Sequence, residues 1–115
     1  MYQKIILIFL IFLLSQSCSK NKDLELANEN KIDSFELYRE AYDGFERGDY
    51  FYASKKFSEA ELNFKSVEYA AKSAIMACYS LYGINFYEEA LDGLERYLKK
   101  YRADKNVIYA HYLIA

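Results

Sequence analysis

The sequence predicts an all-α fold, a solenoid of helical hairpins with two repeats and the start of a third. Residues 47–50, RGDY, indicate a sharp stop between two helices. Ala53, Phe57 and Ala60 then recur at helical spacing. A near-copy of this segment, GINFYEEALDGLERY, begins at Gly83, so we expect the helical hairpin to occur more than once.

The two segments align at one constant offset of 37 residues across small, aromatic and turn positions. The matched pairs are Ala41 and Cys78, Tyr42 and Tyr79, Phe45 and Tyr82, Gly48 and Asn85, Tyr50 and Tyr87, Ala53 and Ala90, Phe57 and Leu94, Ala60 and Tyr97. A second step of 37 carries Tyr38 through Ile75 to Tyr112. Chance similarity would not keep one offset over such different residue types. We therefore divide the chain into repeats over residues 33–68 and 69–105 and a partial repeat over 106–115.

Each repeat is predicted to be a pair of helices with defined ends. Asp33 is expected to cap the first helix, with Glu36 reaching back to it in a capping box. Gly48 suits the left-handed conformation that ends this helix, and Asp49 suits the cap of the next. Asn85 is the next-best residue for the same left-handed position in the second repeat.

Small residues are predicted to bring the helices of each pair close together. Ala41, Ala53 and Ala90 occupy these positions, while Phe57 and Leu94 are expected to fill the space between neighbouring pairs. A single pair cannot cover its own apolar face, so the repeats are expected to stack into a solenoid.

Charge and composition restrict the classes of function. The formal net charge of −2 does not fit a nucleic-acid-binding protein, which would need a face rich in lysine and arginine. The cations of residues 99–102, KKYR, end a predicted helix, where they offset the negative end of the helix dipole. The 13 tyrosines and eight phenylalanines exceed what the core of such a domain needs. Some of these rings should therefore lie on the surface or line a groove.

The N-terminal segment, residues 1–17, is predicted to be an export signal. Lys4 precedes an unbroken apolar stretch over residues 5–14, and small or polar residues lead into Cys18. An apolar helix of about 15 Å is too short to cross a bilayer, which needs about 20 apolar residues.

The cysteine placed after this stretch resembles the lipobox of bacterial lipoproteins. The resemblance implies that Cys18 is acylated after cleavage before it, and that residues 18–32 tether the lipid to the repeats. The alternative is a plain secretory signal with an incidental cysteine. If Cys18 is acylated, Cys78 has no disulfide partner and is expected to act as a small buried apolar residue.

The order of small residue, aromatic residue, Gly-Asp-Tyr turn and Ala-Phe-Ala steps resembles the tetratricopeptide repeat, although the closing proline of that family is missing. The resemblance implies that the first helix of each pair lines a concave, peptide-binding face. The candidate groove residues are Phe35, Tyr38, Tyr42, Phe45, Ile75, Tyr79, Tyr82, Tyr109 and Tyr112. The alternative is that these rings pack the core, as most aromatic stripes on helices do.

No catalytic residue, metal site or cofactor site is predicted. His111 is the only histidine, and no acid or nucleophile stands at a motif spacing from it. Glu88, Glu89 and Asp92 lie in the first turns of a predicted helix, where acids suit the dipole. The chain also lacks a glycine-rich phosphate loop, so we expect a protein that is not an enzyme.

With the lipobox, three runs resemble the BamD family, the outer-membrane assembly lipoproteins of the β-barrel assembly machinery. They are residues 37–64, 74–101 and 106–115, which resemble the first repeat, the second repeat and the opening of the third. The resemblance implies a lipid-anchored protein on the periplasmic face of the outer membrane. Its N-terminal repeats would recognise unfolded outer-membrane protein precursors, whereas docking on the subunit BamA falls to C-terminal repeats in that family. The alternative is another tetratricopeptide scaffold or coordinator lipoprotein, associated with the Tol-Pal system or the cell wall.

Overall fold

The computed structural model describes residues 2–3, which are helical and exposed, and residues 33–115. The predicted signal peptide lies outside the described residues, except for residues 2–3. The predicted lipidation site Cys18 and the tether over residues 18–32 also lie outside them. Within the described residues, no helix is both long enough and apolar enough to cross a membrane.

Residues 33–115 form five α-helices and no strand. The helices are α1 (Ser34–Glu46), α2 (Tyr50–Asn63), α3 (Val67–Gly83), α4 (Tyr87–Lys100) and α5 (Val107–Ile114). Each helix packs against the next one in the chain. The result is an all-α, tetratricopeptide-like array of two helical hairpins and a further helix, which confirms the predicted fold class.

The two hairpin turns have the same backbone structure, one repeat apart. Gly48 has a φ of 78° and Asn85 a φ of 64°, so both are left-handed as predicted. In each turn the following amide donates to the carbonyl five positions earlier, at 2.9 Å from Asp49 to Gly44 and 3.0 Å from Phe86 to Leu81. Helices α2 and α4 follow these turns and have 14 residues each.

Aspartate side chains cap the two helices of the first hairpin. An Asp33 carboxylate oxygen accepts from the amide of Phe35 at 3.0 Å, and one of Asp49 accepts from the amide of Tyr52 at 3.3 Å. The Glu36 carboxylate instead faces Arg39, with 3.7 Å between Oε1 and Nη2. Within residues 33–115, the Glu36 side chain therefore does not form the hydrogen bond back to the Asp33 amide that the capping box predicts.

The core consists of two clusters, one between the first hairpin and α3 and one between the second hairpin and α5. The first contains Ala41, Ala53, Phe57 and Ala77. The second contains Ala70, Ala71, Ala74, Ile75, Cys78, Leu94, Tyr97, Tyr101 and Ala110. Ala90 is also buried, so all three predicted small-residue positions lie at helix contacts. Burial at these positions lets the helices approach closely, as the repeat pattern predicts.

The turn between α4 and α5 is held by side-chain hydrogen bonds and contains no proline. The Tyr97 hydroxyl donates to an Asp104 carboxylate oxygen, which also accepts from the amide of Asn106 at 2.9 Å. Burial by itself would raise the pKa of Asp104, but these hydrogen bonds outweigh it and hold that pKa below its usual value. The Tyr101 hydroxyl donates to Glu61 on α2 at 2.7 Å, which ties the same turn to the first hairpin.

Cys78 is a free, buried thiol on α3 that faces α4 at Gly93. A Cβ atom at Gly93 would lie only 2.6 Å from Cys78 Sγ, so the glycine leaves the space that the sulfur fills. Burial raises the pKa of the Cys78 thiol to about 11. This position agrees with the prediction that Cys78 acts as a small buried apolar residue.

We expect iodoacetamide to alkylate Cys78 about 100-fold more slowly in the folded chain than in urea at mildly alkaline pH, because only the thiolate is nucleophilic. A Cys18→Ser variant, analysed by mass spectrometry, isolates the reaction at Cys78. The raised pKa also means that this thiol favours folding below its unfolded value of about 8.5 and loses that contribution as pH rises toward the folded value. Equal alkylation rates in both states would contradict the buried position.

Candidate peptide-binding groove

Aromatic side chains from the first helices of successive hairpins lie in ring-to-ring contact. The ring centroids of Phe45 on α1 and Tyr79 on α3 are 5.6 Å apart. Tyr79 is 6.3 Å from Tyr109 on α5, and Tyr109 stacks on Tyr112 at 6.3 Å. These four residues form what we call the aromatic ladder. It runs without a break across α1, α3 and α5.

The rings of the aromatic ladder pack against neighbouring side chains and are partly exposed to solvent. Phe45 is half-buried because its ring also packs against Tyr50, with centroids 5.0 Å apart. Tyr79 is 36% exposed and Tyr112 is 74% exposed, with Tyr109 between these values. Neighbouring rings thus fix one another while each keeps an accessible face or edge. Such a surface offers apolar area at a low entropic cost of ordering.

The hydroxyl group of Tyr109, in the middle of the aromatic ladder, stays uncharged at neutral pH. Burial raises the pKa of Tyr109, and the neighbouring phenols of Tyr79, Tyr112 and Tyr82 raise it further. A neutral phenol can both donate and accept a hydrogen bond. The ladder therefore combines apolar ring surface with hydroxyl groups that can form hydrogen bonds.

Two further predicted groove residues, Tyr42 and Tyr82, flank the aromatic ladder. Tyr42 precedes Phe45 by three positions on α1, and Tyr82 follows Tyr79 by three on α3, so each shares a helical face with a ladder ring. Both are exposed. The ring of Tyr82 also contacts Tyr87 at the start of α4, with centroids 5.4 Å apart.

Phe35 and Tyr38, also predicted to line the groove, lie in a different cluster. The ring of Phe35 is 5.0 Å from both Phe64 and Tyr69 at the turn between α2 and α3. Tyr38 packs edge-on against the buried Phe57 at 5.2 Å, and burial raises its pKa. These rings support the junction between repeats. Sequence reasoning missed Phe64 and Tyr69, whose only signal is their aromatic character beside a helix end.

The structure places Ile75 in the core and corrects its assignment to an open groove. Its side chain is 4% exposed and belongs to the buried cluster that includes Leu94, Tyr97 and Ala110. The physical reason is that α3 is an inner helix, covered by both α2 and α4. Less of its surface is therefore accessible than the repeat pattern alone suggests.

The described residues contain no metal site. Within residues 2–3 and 33–115, no group of three or more histidine, cysteine, aspartate or glutamate side chains could hold a metal ion. His111 lies on the exposed side of α5. The helix face supplies aromatic ring surface and hydroxyl groups.

A helical-hairpin array of this kind has a tetratricopeptide-like architecture, here with aromatic rings on its first helices. The family model YfiO, described as outer membrane lipoprotein, matches residues 30–115. The chain therefore belongs to this family of outer membrane lipoproteins, which supports a location at the outer membrane and interactions with other proteins. No solved structure matches the chain.

Proposed function

We propose that this protein acts as the BamD component of the β-barrel assembly machinery and recognises unfolded outer-membrane protein precursors without enzymatic activity. The observation that carries the proposal is the continuity of the aromatic ladder over three first helices. An extended strand points every second side chain to one side, at a repeat of about 7 Å. The ladder rings are spaced by 5.6 and 6.3 Å, which suits successive apolar side chains of such a strand.

The chemistry of the proposed substrate agrees with this surface. Strands of outer-membrane barrels alternate apolar and polar residues and carry aromatic girdles, so an unfolded precursor presents an apolar row when extended. The rings of the ladder would bind this row, and their hydroxyl groups would meet backbone amides and carbonyls. A lipid on Cys18 would keep the groove at the periplasmic face of the outer membrane, where precursors arrive and where BamA is the expected partner.

Replacing Tyr42 and Tyr79 by alanine should weaken binding of a barrel-strand peptide about tenfold or more, because exposed aromatic anchors dominate such interfaces. Fluorescence anisotropy with a labelled strand peptide measures the affinity, and circular dichroism follows the melting temperature. Tyr52→Ala is the control, since Tyr52 on α2 is as exposed as Tyr79, each at 36%, but belongs neither to the aromatic ladder nor to the tyrosines that flank it.

We expect the double variant to keep its melting temperature near that of the parent chain. If it melts instead, these rings belong to the core. Unchanged affinity in a folded double variant would place precursor recognition elsewhere.

The cellular role is tested by purifying the full-length gene product from native envelopes in mild detergent and identifying its partners by mass spectrometry. Recovery of BamA, with an acylated Cys18, is the expected result. Recovery of Tol-Pal components or cell-wall synthases without BamA would instead assign the protein to the scaffold lipoproteins.

A further inference from the structure

A second aromatic surface lies at the hairpin tips, where each first helix turns into the second. Phe51 and Phe86, from the two adjacent tips, meet edge to face with ring centroids 6.4 Å apart. Phe51 is 55% exposed and Phe86 is 42% exposed. Tyr87 beside them is equally open, and its hydroxyl donates to Asn85 Oδ1 at 2.7 Å. We call Phe51, Phe86 and Tyr87 the tip patch.

The two tips are fixed relative to each other, so the tip patch is a preformed surface. Tyr50 packs across Gly83, where an added Cβ would lie 3.1 Å from the tyrosine ring. The left-handed residues Gly48 and Asn85 close both turns with the same hydrogen bonds. A phenylalanine side chain forms no hydrogen bond with water. Contiguous exposed phenylalanine rings on a protein surface are typical of a site that a partner covers.

Acids outnumber cations in the hairpin tips that carry the tip patch. The two tip segments, residues 46–51 and 83–89, contain Glu46, Asp49, Glu88 and Glu89 against Arg47. One turn further along α2, Lys55 Nζ lies over the Phe51 ring, 5.9 Å from its centroid. The ion pairs of residues 33–115 use the carboxylates of Glu36, Glu40, Glu59, Glu61 and Glu68. Within the described residues, no acid of the tips therefore has a cationic partner within 4.0 Å.

We propose that the tip patch docks a protein segment that carries both cationic and apolar side chains, at a surface distinct from the aromatic ladder. The phenyl rings would pack against the apolar residues of this segment, and the carboxylates would pair with its lysines or arginines. The same carboxylates would be repelled by an anionic lipid surface, so the charge favours a protein over a bilayer. The proposal uses no ladder residue and holds whether or not the ladder binds precursors.

The test uses the full chain in nanodiscs of zwitterionic lipid and three labelled synthetic peptides. One alternates lysine with phenylalanine, the second alternates glutamate with phenylalanine, and the third alternates lysine with serine. All affinities are measured by fluorescence anisotropy in the Tyr42→Ala/Tyr79→Ala background, so that the ladder contributes little. Empty nanodiscs correct for binding to lipid, and circular dichroism confirms that each variant is folded.

We expect the lysine–phenylalanine peptide to bind about tenfold or more tightly than either of the other peptides. The Phe51→Ser/Phe86→Ser variant should lose that preference, while Glu88→Gln/Glu89→Gln should weaken binding several-fold and flatten its salt dependence. Both changes lie at exposed positions, so the fold should be retained.

Equal binding of the lysine–phenylalanine peptide to the parent and to the folded Phe51→Ser/Phe86→Ser variant would overturn the proposal. Equal affinity for the glutamate–phenylalanine peptide would remove the role of charge and overturn it as well. Transfer of the chain to vesicles of phosphatidylethanolamine and phosphatidylglycerol that is lost in this variant would show that the patch meets lipid instead.

Discussion

Tryptophan at Ala53 or at Ala90 should unfold the hairpin array. Ala53 is completely buried between α1 and α2, and Ala90 occupies the same repeat position at the contact of α3 and α4. Overpacking a closely packed contact costs about 1–3 kcal/mol, and an indole in place of a methyl group is an extreme case. Because small domains are stable by only about 5–15 kcal/mol, most of the folded population should be lost on mild heating.

The measurement is thermal unfolding followed by circular dichroism at the helical band. Leu62→Trp is the matched control, because Leu62 is also on α2 but is 81% exposed. It should melt within a few degrees of the parent chain. If Ala53→Trp and Ala90→Trp melted like the control, the repeat alignment that places both alanines at helix contacts would be wrong.

Truncating Phe57 to alanine should cost about 3–5 kcal/mol of unfolding free energy, the usual range for a buried phenylalanine. Its ring is completely buried among Ala41, Ala53 and Ala77 and supports Tyr38 edge-on. The loss leaves a cavity between the first hairpin and α3, which the short alanine side chains around it cannot fill. Urea unfolding, with the slope held common to parent and variant, gives the difference in free energy.

The control for this truncation is Phe51→Ala, which removes the same ring from an exposed position of the same helix. We expect it to change the unfolding free energy by less than about 1 kcal/mol. Equal losses from the two substitutions would mean that Phe57 does not fill the contact between the first hairpin and α3.

The repeat made the turns and the second helices predictable from sequence. Gly48 and Asn85 are among the few residues that accept a left-handed backbone, so their shared repeat position predicts both turns. Asp49 likewise has a local chemical reason to precede a helix. The turns and the aspartate caps, which depend on their own backbone or on near neighbours, were therefore predicted correctly, whereas the return bond from Glu36 was not.

Features that depend on distant partners were not predictable in the same way. Ser34 corresponds to Ala71 in the repeat, yet α3 begins about one turn earlier at Val67. Close to this helix start, the rings of Phe64 and Phe35 are in contact although they are far apart in sequence. The periodicity of the sequence does not indicate this contact. The hydrogen bond from Tyr97 to Asp104 replaces a turn proline, and no local pattern indicates it.

The candidate groove shows the same division. Helical spacing places Ile75 and Tyr79 on one face of α3, but it cannot say how far α2 and α4 extend over that face. In the structure the boundary falls between these two residues, with Ile75 inside the core and Tyr79 in the aromatic ladder. Only the packing of neighbouring helices determines which of these two side chains is accessible to solvent.

The packing of each helix on the next one in the chain has a kinetic consequence. Native contacts that are close in sequence need little loop closure before they form, and chains with such low contact order fold quickly. A hairpin such as α1–α2 can form before the residues of α4 have been synthesised. The chain can thus fold progressively from its N-terminal side, without waiting for its last helix.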